Sequence, residues 1–291
     1  MKYLILLILS TTAQASGVTV EDFIGRSVTL EKPANRIVAL APHIVENLYS
    51  AGAGDKLVGV VSYSNYPPEA QGIQQVGSYA AFSLETIVAL QPDLILMWGS
   101  GNGMQALEKL EALGLPVFVS EPRQLSDISR SIRLLGKMAG TDAASEREAL
   151  RIERETTLLK AVYGNNKKLS VLYQIWNDPL QTLNGEHLIS QVIELCGGEN
   201  IFRDTRSLAP KISIESVLLR NPQVIIASGM SAARPEWLDD WLKYPSLDAV
   251  KNKALISVNP DHIQRPTARV LLGARELCEK LNTVRYESPA I

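Results

Sequence analysis

Residues 141–163 read TDAASEREALRIERETTLLKAVY. Glu, Arg, Ala and Leu dominate the stretch, all strong helix formers, and neither Pro nor Gly interrupts it. Thr141 stands where an N-cap would sit, and Gly164 where a helix would stop. A helix of this length runs roughly 35 Å, enough to cross a small domain. The chain on either side has a different rhythm. Before the helix, a small hairpin is expected over 18–30, turning at Gly25 and Arg26. Buried strands then follow at 36–40, 57–61, 93–98 and 117–119, alternating with helices at 45–53, 84–90, 104–113 and 125–139. After the helix the βα rhythm restarts through 169–175, 189–195, 224–227 and 255–258, and closes on a helix near 268–281. The reading is an α/β chain of two Rossmann-like lobes, 16–140 and 164–291, joined by one long rigid helix at 141–163.

A repeat supports two lobes. Residues 84–96, LETIVALQPDLIL, parallel residues 214–226, IESVLLRNPQVII, without a gap. Glu215 lies 130 residues after Glu85 (215 − 85), and Pro222 keeps the same spacing from Pro92. Each copy predicts a short helix, a stop at Gln-Pro or Asn-Pro, and a buried strand. Any two βα units look alike at this level, but the glutamate is the part that likeness alone does not require. Its place in the first helical turn also suits the helix dipole.

Composition narrows the function. The 291 residues carry 29 basic and 31 acidic side chains, a net charge of −2, which excludes the basic excess of a nucleic-acid protein. A hydrophobic share of 46% is ample for a packed core. Met1 and Lys2 precede the apolar run YLILLILS, and Ala13-Gln14-Ala15 is a small-x-small cleavage site. That layout predicts a secretory signal over 1–15, since a run this short falls well below the roughly 20 apolar residues needed to span a bilayer. Cys196 and Cys278 leave open one disulfide or two free thiols, and an exported chain favours the bond.

Catalytic motifs are missing. There is no G-x-S-x-G elbow, no phosphate-binding Gly-Lys loop and no H-E-x-x-H. The run Gly99-Ser100-Gly101-Asn102-Gly103 reads as a plain βα turn. His43 and His262 fall at carboxyl ends of strands, where open α/β sheets bind ligands, whereas His187 reads as surface. His43, His262 and Asp261 form a thin metal signal and frame one alternative, a secreted metal-dependent enzyme. Six rings, Tyr63, Tyr66, Tyr79, Phe82, Trp98 and Trp176, fall in loops or at strand ends. Rings at a cleft mouth suit a large planar or amphipathic ligand.

These features together resemble the periplasmic substrate-binding proteins of ABC importers for iron-siderophores, haem and cobalamin. The opening Val18-Thr19-Val20-Glu21-Asp22-Phe23-Ile24-Gly25-Arg26 is like the start of many members. Ser62-Tyr63-Ser64-Asn65-Tyr66-Pro67-Pro68 and Cys196-Gly197-Gly198-Glu199-Asn200-Ile201-Phe202 are most like its cobalamin-binding branch. The resemblance covers nearly the whole mature chain. It implies a monomeric periplasmic binder, not an enzyme, with cobalamin as transported ligand and no resident cofactor or metal. Partners are an ABC permease and its ATPase, with no nucleic acid. It also implies a pocket of Pro42, His43, Tyr63, Tyr79, Trp98, Asp261 and Arg265, with Trp176 close to a further position. Glu85 and Glu215 become permease-docking residues, and Cys196–Cys278 an intra-lobe disulfide. His43 stands where the cobalamin binders have a small residue, Tyr79 replaces a tryptophan, and Ile263 and Gln264 replace an aromatic and an acidic residue. A histidine beside the pocket keeps haem or a ferric siderophore as the alternative ligand, with His43 or Tyr63 as iron ligand.

Overall fold

Apolar strands buried on both faces need helices on each side of their sheet, and the chain supplies them by strict alternation. The computed structural model describes residues 17–229 and 233–287; the expected signal segment lies outside the described residues. β1 (Val18–Glu21) and β2 (Ser27–Leu30) form the antiparallel hairpin, with Val18 opposite Leu30 and alternate side chains buried. Asp22 holds its turn by accepting the Ile24 and Arg26 N–H groups at 3.0 and 2.9 Å.

The first lobe continues through β3 (Ile37–Ala39), α1 (Pro42–Ser50), β4 (Leu57–Val60), α2 (Leu84–Ala89) and β5 (Leu94–Trp98). The single turn α3 (Gly99–Asn102), α4 (Met104–Glu111), β6 (Val117–Ser120) and α5 (Leu125–Ala139) complete it. α6 (Asp142–Tyr163) is the long helix. The second lobe has β7 (Leu169–Gln174), the short hairpin β8 (Trp176–Asn177) and β9 (Leu180–Gln181), α7 (Leu188–Leu195) and β10 (Gly198–Asn200). It ends with α8 (Ile214–Arg220), β11 (Val224–Ala227), α9 (Asp248–Lys251), β12 (Leu255–Ser257), α10 (Pro260–Ile263) and α11 (Val270–Glu287).

Each lobe has a parallel sheet, ordered β4-β3-β5-β6 and β10-β7-β11-β12. In both, the second strand sits outside the first and the third lies on the first strand's other side. Strand order therefore reverses at β3/β5 and at β7/β11. Open α/β sheets leave a crevice beyond the carboxyl ends of the strands at such a reversal.

The repeat is physical. Ser83 and Ser213 cap α2 and α8, accepting the Thr86 and Ser216 N–H groups at 3.1 and 3.2 Å. Ile87 and Val217 are each helix's fully buried residue. Gln91 and Asn221, again 130 residues apart (221 − 91), both take left-handed backbone, at φ 47° and 41°. Some local expectations shift. The Thr141 side chain does not cap α6; its hydroxyl donates to the Ala51 carbonyl at 2.7 Å. α1 starts at Pro42, because a proline at the first helical position needs no N–H partner. β8, β9 and β10 are too short to announce themselves by periodicity.

α6 is fastened to both lobes. Arg133 of α5 pairs with Glu146 at 2.7 Å and also with Glu153. Further along, Glu155 pairs with Arg151 at 2.5 Å and with Arg275 of α11 at 3.3 Å. The Cys196–Cys278 disulfide ties the end of α7 to α11. α5 and α6 approach so closely at Gly136 that an added Cβ would lie 2.1 Å from Ser145 Oγ. Gly136→Ala therefore reverses the usual helix gain of about 1 kcal/mol. Denaturant unfolding of the variant is expected to show a loss of about 1–3 kcal/mol from overpacking.

Candidate ligand-binding cleft

Pro42 and His43 follow β3, and Trp98 ends β5, so the first lobe's reversal point carries a proline, an imidazole and an indole. The imidazole meets the Trp98 ring edge to face, with centroids 5.4 Å apart. Tyr79 lies 6.1 Å from Trp98 on a neighbouring loop. Asn102 holds this group together. Its Oδ1 accepts the Trp98 N–H at 2.6 Å, and its Nδ2 donates to the carbonyls of Tyr79 at 2.6 Å and Leu40 at 3.0 Å. Gly101 is needed beneath the indole, since a Cβ there would lie 1.9 Å from a ring carbon. The glycine-rich run is thus more than a connecting turn: it seats Trp98. It is not an open anion site, because Glu121 already accepts from the Ser100 N–H at 2.7 Å and hydroxyl at 2.9 Å.

The second lobe presents β12's end. Asn259 caps α10, and Asp261 and Arg265 face each other at 3.1 Å. Arg265 also donates to Glu46 at 2.7 Å and to Asn65 at 3.3 Å, which ties the Tyr63–Tyr66 loop to the second lobe. Tyr63 is 76% exposed and takes a left-handed φ of 66°, so its ring stands free at the rim. Tyr66 is not a free ring, since Arg269 sits over its face at 3.9 Å. Phe82 is partly buried and packs on the first lobe's core instead of the rim. Trp176 stands on the β8–β9 hairpin with its indole N–H donating to the Asp178 carbonyl at 2.9 Å.

The lobes meet over a small cavity of about 140 Å³, lined by Trp98, Ser100 and Glu121 from the first lobe and by His187, Gln264 and Pro266 from the second. A space of this size is below the range of drug-sized ligand pockets. A larger hollow of about 610 Å³ lies between α6 and α7, but it has no aromatic side chain and no strand end.

His187 corrects the surface reading: it is half-buried at this cavity, caps α7 by accepting the Ile189 N–H on Nδ1 at 3.1 Å, and burial pushes it down to about 4. His43 is only 5% exposed; burial, and secondarily the Arg265 charge, push its pKa down to about 3. At the second lobe's reversal point, Ser228 Oγ sits 2.5 Å from the Tyr173 hydroxyl and accepts from Gln264 Nε2 at 2.6 Å. Burial holds that phenol protonated. Among the described residues no group of three or more His, Cys, Asp and Glu is arranged to hold a metal.

A family model described as periplasmic binding protein matches residues 37–262. The chain belongs to the periplasmic binding protein family. It is accordingly a binding protein of a transport system and not an enzyme. It is 38% identical over 257 residues to the vitamin B12-binding protein of Vibrio parahaemolyticus serotype O3:K6 (strain RIMD 2210633), covering 87% of this chain and 92% of that one. Its fold matches the crystal structure of the periplasmic vitamin B12 binding protein BtuF of Vibrio cholerae with a TM-score of 0.79, at 35% identity over 87% of this chain and 99% of that one. The periplasmic heme-binding protein RhuT from Roseiflexus sp. RS-1 shares the fold, with a TM-score of 0.74 at 22% identity over 86% and 99% of the two chains.

Within this family fold, Asn102, Glu46 and His187 brace or line the cleft and were missed by sequence reasoning. Only Asn102 left a signal, in a glycine-rich run after a strand. The others act through partners on distant segments. Because folding keeps His43 neutral, its NMR resonances are expected not to titrate between about pH 8 and pH 5. The folded pKa lies below the unfolded value of 6.5, so this contribution to stability is complete above 6.5 and declines as pH falls toward 3. A titration midpoint near 6.5 in the native protein would contradict the buried imidazole.

Proposed function

We propose that the protein captures cobalamin in the periplasm, in the cleft between its lobes, and delivers it to an ABC permease powered by its ATPase. The observation that carries this reading is the ring cluster of Trp98, Tyr79 and His43 at one sheet's reversal point, opposite Asp261 and Arg265 on the other lobe. The B12-binding names of relatives at 35–38% identity support the ligand. Pro42, Tyr63, Tyr79 and Trp98 offer flat apolar surface for a corrin face and edges, and Trp176 lies at the rim of the second lobe. Asp261 and Arg265 offer acceptor and donor groups to peripheral amides. His43 lies beneath the indole as a neutral prop. The ligand is cargo, and a resident cofactor or metal has no part in the reading.

Glu85 and Glu215 are exposed in the first turns of matching capped helices, one on each lobe. The backbone N–H of Glu215 and the hydroxyl of Ser213 hold the Glu215 carboxyl below the ordinary range, so it carries its charge. Two exposed glutamates on matching elements suit pairing with arginines of a permease. The protein docks as a monomer in this reading.

A second reading, haem or ferric siderophore, rests on His43, whose Nε2 is buried without a hydrogen-bond partner among the described residues. Calorimetry with cyanocobalamin and haemin side by side separates the two. The expected result is one-to-one binding of cyanocobalamin, weakened at least about tenfold by Trp98→Ala. Haemin bound more tightly, with an absorbance spectrum altered by His43→Ala, would replace cobalamin by haem. For docking, Glu85→Lys with Glu215→Lys is expected to abolish uptake in cells while the purified protein keeps its ligand affinity. Retained uptake would remove both glutamates from the interface.

A further inference from the structure

Glu46 sits on α1 of the first lobe with its side chain only 2% exposed. Its carboxylate accepts from Arg265 Nη1 at 2.7 Å, from Arg269 Nε at 2.9 Å and from Arg269 Nη2 at 2.7 Å. Both arginines belong to the second lobe. Beside it, Asn47 Nδ2 donates to the Pro266 carbonyl at 3.0 Å, a second bond across the same boundary. One buried carboxylate therefore joins the lobes through two guanidinium groups. A pair of this kind is costly to break from one side, because the remaining charge stays buried and uncompensated.

The bonding also fixes what Arg265 can offer. A guanidinium has five N–H groups. Nη1 of Arg265 serves Glu46 and Asn65, and Nη2 faces Asp261. Among the described residues the Nε–H and the second Nη2–H have no partner, so Arg265 keeps donors in reserve while its position is fixed. Arg269 has no such freedom, held between Glu46 and the Tyr66 ring. The formal charges of Glu46, Asp261, Arg265 and Arg269 sum to zero. The cluster is thus a neutral donor surface: it can hydrogen-bond an amide without a net pull on a carboxylate.

We infer that Glu46 is a positioning and specificity-determining residue, which fixes Arg265 across the lobe boundary and balances its charge so that the cleft prefers an amide-decorated ligand over a carboxylate-bearing one. The inference rests on the cleft being the ligand site. Without Glu46 the cluster carries one excess positive charge and favours a ligand with carboxylates, such as the two propionates of haem.

The test measures cyanocobalamin and haemin affinity for the wild type, Glu46→Gln, Arg269→Gln and the double variant. The ratio of cyanocobalamin to haemin affinity is expected to fall at least about tenfold in Glu46→Gln, and to rise in Arg269→Gln. The double variant, neutral again, is expected to return to within about threefold of the wild-type ratio. Equal losses for both ligands, or a double variant further from wild type than Glu46→Gln, would overturn the inference and leave Glu46 merely structural. Should Glu46→Gln fail to fold, the direction of the Arg269→Gln ratio decides. Should the wild type bind neither ligand, the reading of the cleft fails by itself. Nitroxide labels at the exposed Glu108 and Leu219, one per lobe, then test the cross-lobe role without ligand. The expected outcome is a broader distance distribution in Glu46→Gln, and an unchanged one refutes the role.

Discussion

The contact of α5 with α6 fixes where the two sheets can meet. At Gly136 the helices are separated by less than a side chain's width, so neither slides along the other without a clash with Ser145. Arg133 then pins the first half of α6 to the first lobe, and Glu155 joins its second half to α11 of the other. Each of these exposed pairs is weak alone. Together with the close approach they make a spine whose orientation is shared by both lobes. Side-chain ties at the open edges of the cleft complete what the spine begins.

Those ties come in two places. Glu46 with its arginines closes one end. At the other, Gln191 of α7 accepts the Leu125 N–H at 3.1 Å and donates to the Arg123 carbonyl at 3.1 Å. Neither end depends on apolar burial alone, and both use directional bonds. The rims they hold apart differ in character: the first lobe supplies a cluster of rings, and the second supplies Trp176 together with a carboxylate, a guanidinium group and an amide. In the first lobe His43 and Trp98 follow the first and third strands and so sit at the reversal point, whereas Asp261 and Arg265 follow β12, the edge strand beside β11.

Much of this was legible in the sequence, for local reasons. The uninterrupted run of helix formers gave the spine, and the repeated Glu and Pro positions gave the duplicated helix–strand unit, though not its shared left-handed residue. Strand ends located Pro42, His43, Trp98 and Asp261, because a βα unit leaves its loops at a known edge. What stayed hidden depends on contacts between distant segments. Nothing near Glu46 marks it as different from any other helical glutamate, and its partners lie 219 and 223 residues away. His187 reads as surface because nothing in its local sequence announces the cavity it helps to line. Tyr66 and Phe82 look like their neighbours in sequence, yet one is covered by a guanidinium and the other packs inward.

Glu121 has a broader meaning for life in a crowded, ion-rich compartment. The turn after β5 has the form that other α/β proteins use to grip phosphate, with N–H groups turned outward at the start of a helical segment. Here a tethered carboxylate already occupies it, at an effective concentration far above that of a free solute. An inorganic anion or nucleotide arriving at the cleft would have to compete with a rival that never diffuses away. The protein in effect carries its own blocking agent. The turn that seats the indole is thus already satisfied before any solute reaches it.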